Sequence, residues 1–220
     1  MSDWLIWQLV DSAFPSGGFA HSAGLEAAVQ WGELPTADEF KLFLRESLVQ
    51  VSYSAIPLIG AWHGQQHSFA ELDQLAEAIL SNHVANRASR IQGKALLASA
   101  IAAFDLPALK SLQQDIRDQQ LPSHQVPVWA ALTHYLEISP EQSARMFLFL
   151  TLRSLISSAV RLHVIGPRGG QALQYQFASW SEQLVQQGLL LSLEQMSQTA
   201  PLIEIFQGTQ DRMYSRLFQS

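Results

Sequence analysis

"SPEQSARMFLFLTLRSLISSAVRLHVI", residues 139–165, decides the fold class. Ser139 stands three positions before Gln142, the pairing in which a hydroxyl and a longer side chain satisfy the free backbone donors of a helix start. Pro140 follows, the residue type preferred at the first helical position. Apolar residues then dominate with no glycine or proline to interrupt them, so one long helix is expected over 140–164. It is apolar over more than one face. Such a helix lies at the centre of a core, or has a face covered by another subunit.

The same start signal recurs at Thr36–Glu39, Ser68–Glu71 and Ser192–Gln195. Apolar residues return behind it at helical spacing, as in Phe40, Phe43, Leu44 and Leu48, or Leu72, Leu75, Ala76 and Ile79. Strand signals are weak. Helices are expected near 3–11, 22–31, 37–52, 55–65, 69–80, 84–103, 107–117, 127–138, 140–164, 171–187 and 193–198, some of them merging. The breaks fall at Gly32–Pro35, His67–Ser68, Leu121–Pro122, Gly166–Gly170 and Gly188. None is long enough to be a linker, and there is no internal repeat. The reading is a single all-α domain over 1–220, of about eight to ten packed helices. "WLIWQLV" (4–10) is apolar all round and poses the same choice as 140–164 between burial and a covering subunit.

A chain of 220 residues buries roughly 70% of its unfolded surface and needs no covalent staples. The absence of cysteine excludes disulfides, thiolate metal sites and a thiol nucleophile. A net charge of −6, with Lys41, Lys94 and Lys110 as the only lysines, argues against nucleic acid as a partner. The opening residues lack the pattern of a secretory leader. The run "MFLFLTL" falls far short of the roughly 20 residues that span a bilayer, so no membrane partner is expected. A cytoplasmic location fits these features.

The least helix-like segment is "DSAFPSGGFAHSAGLEAA" (11–28). As a phosphate cradle it lacks the required glycine and lysine spacing. "GPRGGQ" (166–171) lacks it too and reads as a turn between helices. A nucleophile reading would use Ser16 with His21 and Asp11, but Ser16 is not in a G-x-S-x-G elbow. A metal reading would use His63 and His67, at the i, i+4 spacing of two zinc ligands. Gly64 stands where a metalloprotease carries its glutamate. His83, His124, His134 and His163 are isolated. Glu26, Glu33, Asp38 and Glu39 read as a solvated face. No catalytic residue, cofactor site or metal site is therefore assigned. The alternative kept open is a small helical metalloenzyme or hydrolase using His63/His67 or Ser16/His21.

Two segments remain as candidate partner-binding surfaces. One is the loop with Pro15, Gly17, Gly18, Phe19 and His21, leading to Glu26. The other is the end of the chain, "APLIEIFQGTQDRMYSRLFQS", with Arg212, Tyr214, Arg216, Leu217 and Phe218. Arginine and aromatic residues anchor protein interfaces. The tail, about 201–220, either docks on a partner or packs on its own core. In the docking case its removal is expected to leave the fold in place.

Residues 11–26 resemble the signature of the urease accessory protein UreF family, through Pro15, Gly17, Gly18, Phe19, His21, Ser22, Gly24, Leu25 and Glu26. "NRASRIQGKALL" (86–97), "AVRLHVIGPRGGQ" (159–171, through Arg161, Leu162, Gly166 and Gln171), "APLIEI" and "SRLFQS" are similar to further blocks of that family. The likeness runs along essentially the whole chain. Ala23 departs from a common glycine, and Gln210–Asp211 stand where the family commonly carries a His-Glu pair. The resemblance implies a non-enzymatic, all-α homodimeric scaffold without cofactor. It implies binding to UreD/UreH, recruitment or modulation of the GTPase UreG, and nickel delivery to the urease apoprotein.

Overall fold

The computed structural model describes residues 3–16, 18, 21–34 and 36–219. The described residues form helices and no strands. In chain order these are α1 (Asp3–Val10), α2 (Leu25–Gln30), α3 (Ala37–Ser54), α4 (Ile56–His63), α5 (Phe69–Ile79) and α6 (His83–Phe104). They continue with α7 (Pro107–Asp118), α8 (Gln125–Tyr135), α9 (Pro140–Arg161), α10 (Pro167–Leu190) and α11 (Pro201–Gly208).

The expected helix starts are built as the sequence signals them. The Thr36 hydroxyl accepts from the Glu39 N–H, and Ser139 accepts from the Gln142 N–H. Ser68 and Glu71 close a reciprocal capping box. Asn82 adds a cap that the serine and threonine pattern did not include, accepting from the N–H groups of Val84 and Ala85 at the start of α6. The box at Ser192 opens only a single 3-10 turn, Leu193–Gln195, in place of the helix expected over 193–198.

α9 is the central helix. Its Leu148, Leu152, Leu155, Ile156 and Ala159 join a core built with α2, α3, α10 and α11. Its Met146 and Phe147 join a second core built with α4, α6, α7 and α8. Burial on two sides accounts for its all-round apolar composition. α9 is also long and apolar enough by length and composition to cross a bilayer, but these contacts are those of a core helix.

For "WLIWQLV" the structure overturns the first of the two alternatives, burial within the chain. Of the residues of α1 only Leu9 is buried, and Trp4 is 76% exposed. Trp4 and Trp7 meet edge to face with ring centroids 5.2 Å apart, on the surface.

Two expected breaks are helical instead. Pro167 occupies the first turn of α10, so the helix begins there and runs through Gly169 and Gly170. Gly188 also lies within α10. Both glycines serve close packing. A methyl group at Gly170 would sit 2.8 Å from Ile156 Cγ2, and one at Gly188 would sit 2.6 Å from the Ser52 carbonyl oxygen. The Ser52 hydroxyl donates to the Leu184 carbonyl oxygen across the same seam, at 2.7 Å.

α11 was not among the expected helices. It packs on α2 and α6 and buries Ile203 and Gln207. Gln210 and Phe218 are buried beyond it. The end of the chain thus packs on the rest of the chain through α11, Gln210 and Phe218, the second of the two alternatives, while Tyr214 to Leu217 stay exposed.

Candidate functional site

The loop and the tail, far apart in sequence, meet at Glu26. α2 starts at Leu25, behind Gly24, whose φ of +84° suits glycine. A methyl group at Gly24 would lie 2.9 Å from the Gln207 backbone nitrogen, so this glycine lets α11 lie against α2. One residue into α2, Glu26 is buried and its carboxylate faces the returning tail. It accepts from the Leu217 N–H at 2.5 Å, the Phe218 N–H at 3.2 Å and the Gln210 side-chain amide at 2.8 Å. A buried carboxylate requires such donors to offset its lost hydration. One turn on, the Gln30 side-chain amide donates to the Ser215 carbonyl oxygen at 3.0 Å.

Two further contacts fasten the tail. The Arg161 guanidinium stands 4.2 Å from the centre of the Phe218 ring, a cation–π contact from the end of α9. Asp211 receives both guanidinium nitrogens of Arg87, at 2.8 and 3.0 Å, and lies 3.4 Å from His83 and from Arg216. The hydrogen bond and charge of Arg87 hold the Asp211 carboxyl below its usual range.

The proposed partner-binding residues separate into two sets. Glu26, His21 and Phe218 are buried within the chain, and Glu26 and Phe218 join segments of it. Burial, and secondarily Arg87, lowers the pKa of His21. Pro15, Arg212, Tyr214, Arg216 and Leu217 are exposed, Tyr214 completely and Leu217 by 54%. The Pro15 carbonyl oxygen accepts from the Ser99 hydroxyl of α6 at 2.7 Å. The Gly18 carbonyl oxygen accepts from the His21 N–H, and Gly17 and Phe19 lie outside the described residues. Gln30, Arg87, Gln210 and Asp211 were missing from the candidate set. Gln30 is legible in retrospect, four positions after Glu26 on the same helix face. The pairing of Arg87 with Asp211 leaves no local signal.

Beneath the loop lies a cavity of about 640 Å³. Its lining includes His21, Gln50, Ser89, Arg153, Arg161 and Gln207, from the loop and α3, α6, α9 and α11. The Arg153 guanidinium donates to the Val10 carbonyl oxygen at the end of α1, and burial lowers its pKa.

The structure separates the histidine pair that a metalloenzyme reading would use. α4 ends at His63, and the chain turns through Gly64 and Gln65, whose φ is +55°. His67 therefore falls outside the helix, and the i, i+4 geometry expected of a metal pair does not exist. His63 packs instead against the ring of His134, with centroids 5.3 Å apart, and burial with that neighbour lowers its pKa to about 4. Among the described residues no group of three or more histidine, aspartate or glutamate side chains is placed to hold a metal ion. Asp11, the third member of the nucleophile set, turns its carboxylate to its own loop and accepts from the Ala13 N–H at 2.8 Å. His124 is buried against Ser89 and Glu77, and the buried Asp73 accepts from the backbone N–H groups of Ser123 and His124.

Among the described residues the framework is helical, and its distinctive feature is the clasp of α2 on the end of the chain. The family model described as UreF matches residues 34–178. Urease accessory protein F of Oryza sativa subsp. indica is 36% identical over 219 residues, covering 98% of this chain and 84% of its own length. Urease accessory protein F of Arabidopsis thaliana is 35% identical over 232 residues, covering 99% and 92%. Urease accessory protein UreF of Kocuria rhizophila is 27% identical over 224 residues, covering 98% and 95%. The chain belongs to the UreF family of urease accessory proteins. Its role lies in urease maturation, and it is a non-catalytic helper, not an enzyme.

Proposed function

We propose that this chain is a cytoplasmic, homodimeric adaptor that binds UreD/UreH and recruits or modulates the GTPase UreG, so that nickel enters the urease apoprotein. The observation that carries the reading is the three-donor clasp of Glu26 on the tail. It fixes the backbone of 217–218 from inside and leaves Tyr214, Arg216 and Leu217 facing outward. A pre-ordered segment loses less entropy on docking than a free one. An exposed aromatic and an exposed aliphatic side chain beside an arginine form the kind of cluster that anchors an interface. The exposed Trp4 and Trp7 of α1 supply a second apolar surface suited to the subunit contact.

The test is co-purification with the cognate UreD/UreH protein, followed by light scattering for mass. The intact chain is expected to form the complex. Tyr214→Ala/Leu217→Ala changes only exposed side chains, so it is expected to keep the helical circular dichroism spectrum and weaken binding by about tenfold or more. Unchanged binding by the folded double variant would refute the tail as the docking site. Absence of a complex with the intact chain would refute the adaptor reading itself.

A further inference from the structure

α6 carries a basic stripe that urease maturation alone does not explain. His83, Arg87, Arg90 and Lys94 are spaced by four, three and four positions, which places them along one face of the helix. His83, Arg87 and Lys94 are exposed and Arg90 is half-buried. The 22 residues of α6 include no aspartate or glutamate, in a chain where acids outnumber bases 19 to 13. The stripe occupies the N-terminal half of the helix, where the helix dipole gains nothing from a cation. Its positive charge is therefore not a device for stabilising the helix.

The stripe also has a shape. It lines a groove of about 670 Å³ with Glu77, Leu80, Ser81 and Asn86. Ile91, 48% exposed, stands between the cations. The chain's own acids neutralise the two ends of the stripe unequally. Asp211 takes both guanidinium nitrogens of Arg87. Arg90 has only a 3.9 Å approach to Glu77, and Lys94 makes no ion pair among the described residues.

We infer that this groove docks an acidic, leucine-bearing segment of a partner protein, with carboxylates on Arg90 and Lys94 and an aliphatic side chain on Ile91. Opposite charge steers such an encounter, and the groove supplies an apolar contact between the charges. Nucleic acid fits less well: the chain is acidic overall, and the groove's lining holds no phenylalanine, tyrosine or tryptophan on which a base could stack. The inference does not depend on the proposed UreD/UreH and UreG contacts, and its test uses no urease protein.

The probe is fluorescein-labelled acetyl-Glu-Glu-Leu-Glu-Glu-Leu-Glu-Glu, read by anisotropy on the full chain at about 50 mM NaCl, where surface charges are weakly screened. The wild-type chain is expected to bind it. Arg90→Glu/Lys94→Glu should weaken binding by about tenfold or more, while Lys41→Glu, away from the groove, should change it by less than about twofold. Lys41 and Lys94 are exposed and Arg90 is half-buried, and circular dichroism checks that the variants fold. No binding by the wild type would overturn the proposal, and so would equal binding by the groove variant. Equal losses in both variants, or displacement of the peptide by an equal concentration of oligothymidylate, would show general polyanion attraction and overturn it as well.

Discussion

Glu26 is the side chain that ties α2 directly to the end of the chain. It is a buried carboxylate whose three donors all come from the last eleven residues. Glu26→Ala would leave the Phe218 N–H and the Gln210 amide without this acceptor in a buried place, and the Leu217 N–H without it in a part-buried one. Each such loss costs about 1–3 kcal/mol, so a total of about 2–4 kcal/mol is expected after local relaxation. Glu26→Gln keeps one acceptor oxygen but turns an NH₂ group toward a donor, and should fall between the two. Urea unfolding measures the stability, and hydrogen exchange at the Leu217 and Phe218 amides localises it. Protection unchanged in Glu26→Ala would mean that the tail is held by other contacts. Sequence could single out Glu26 as part of a specific block, but not as a clasp. Its partners are brought to it by α11, and no local spacing reveals that approach.

Elements were legible where their start signals are local. The caps at Thr36, Ser68 and Ser139 are written within four residues, and each opens a helix. α11 escaped because Ala200 precedes it and has no side chain able to cap. The glycines of α10 read as breaks because sequence shows only their cost to a helix, not the backbone they allow to approach. For α1 the choice between burial and a covering subunit stays open in the sequence because periodicity reports apolar composition and not what covers it. The end of the chain offers an element-scale test. A chain ending at Thr209 loses Phe218 and the donors of Glu26, and one ending at Ala200 loses Ile203 and the α2 contact as well. Burying one large apolar side chain contributes about 1.5–3 kcal/mol, so the shorter chain should be destabilised by at least that much more. The urea midpoints of the two truncations against the full chain measure the difference. Equal midpoints would mean that α11 adds nothing to the core.

The whole molecule is organised by α9, which sends Leu148, Leu152 and Leu155 into one core and Met146 and Phe147 into the other. Two cores joined by a shared rigid helix are expected to open together, since neither keeps its packing if α9 moves. That distinguishes this fold from two halves resting side by side, and it bears on function. A scaffold that opens as one unit keeps the Glu26 clasp, fed by α2 and the tail, and the α6 groove in fixed relation. Leu155→Ala, in the first core only, tests the coupling. It should cost about 2–5 kcal/mol as a large-to-small change in a packed core. Native-state hydrogen exchange then compares α3 and α10, which line the first core, with α8, which lines the second. Equal loss of protection in all three is the expected result. Loss confined to α3 and α10, with α8 protected as in the wild type, would show that the cores open separately and that α9 does not couple them.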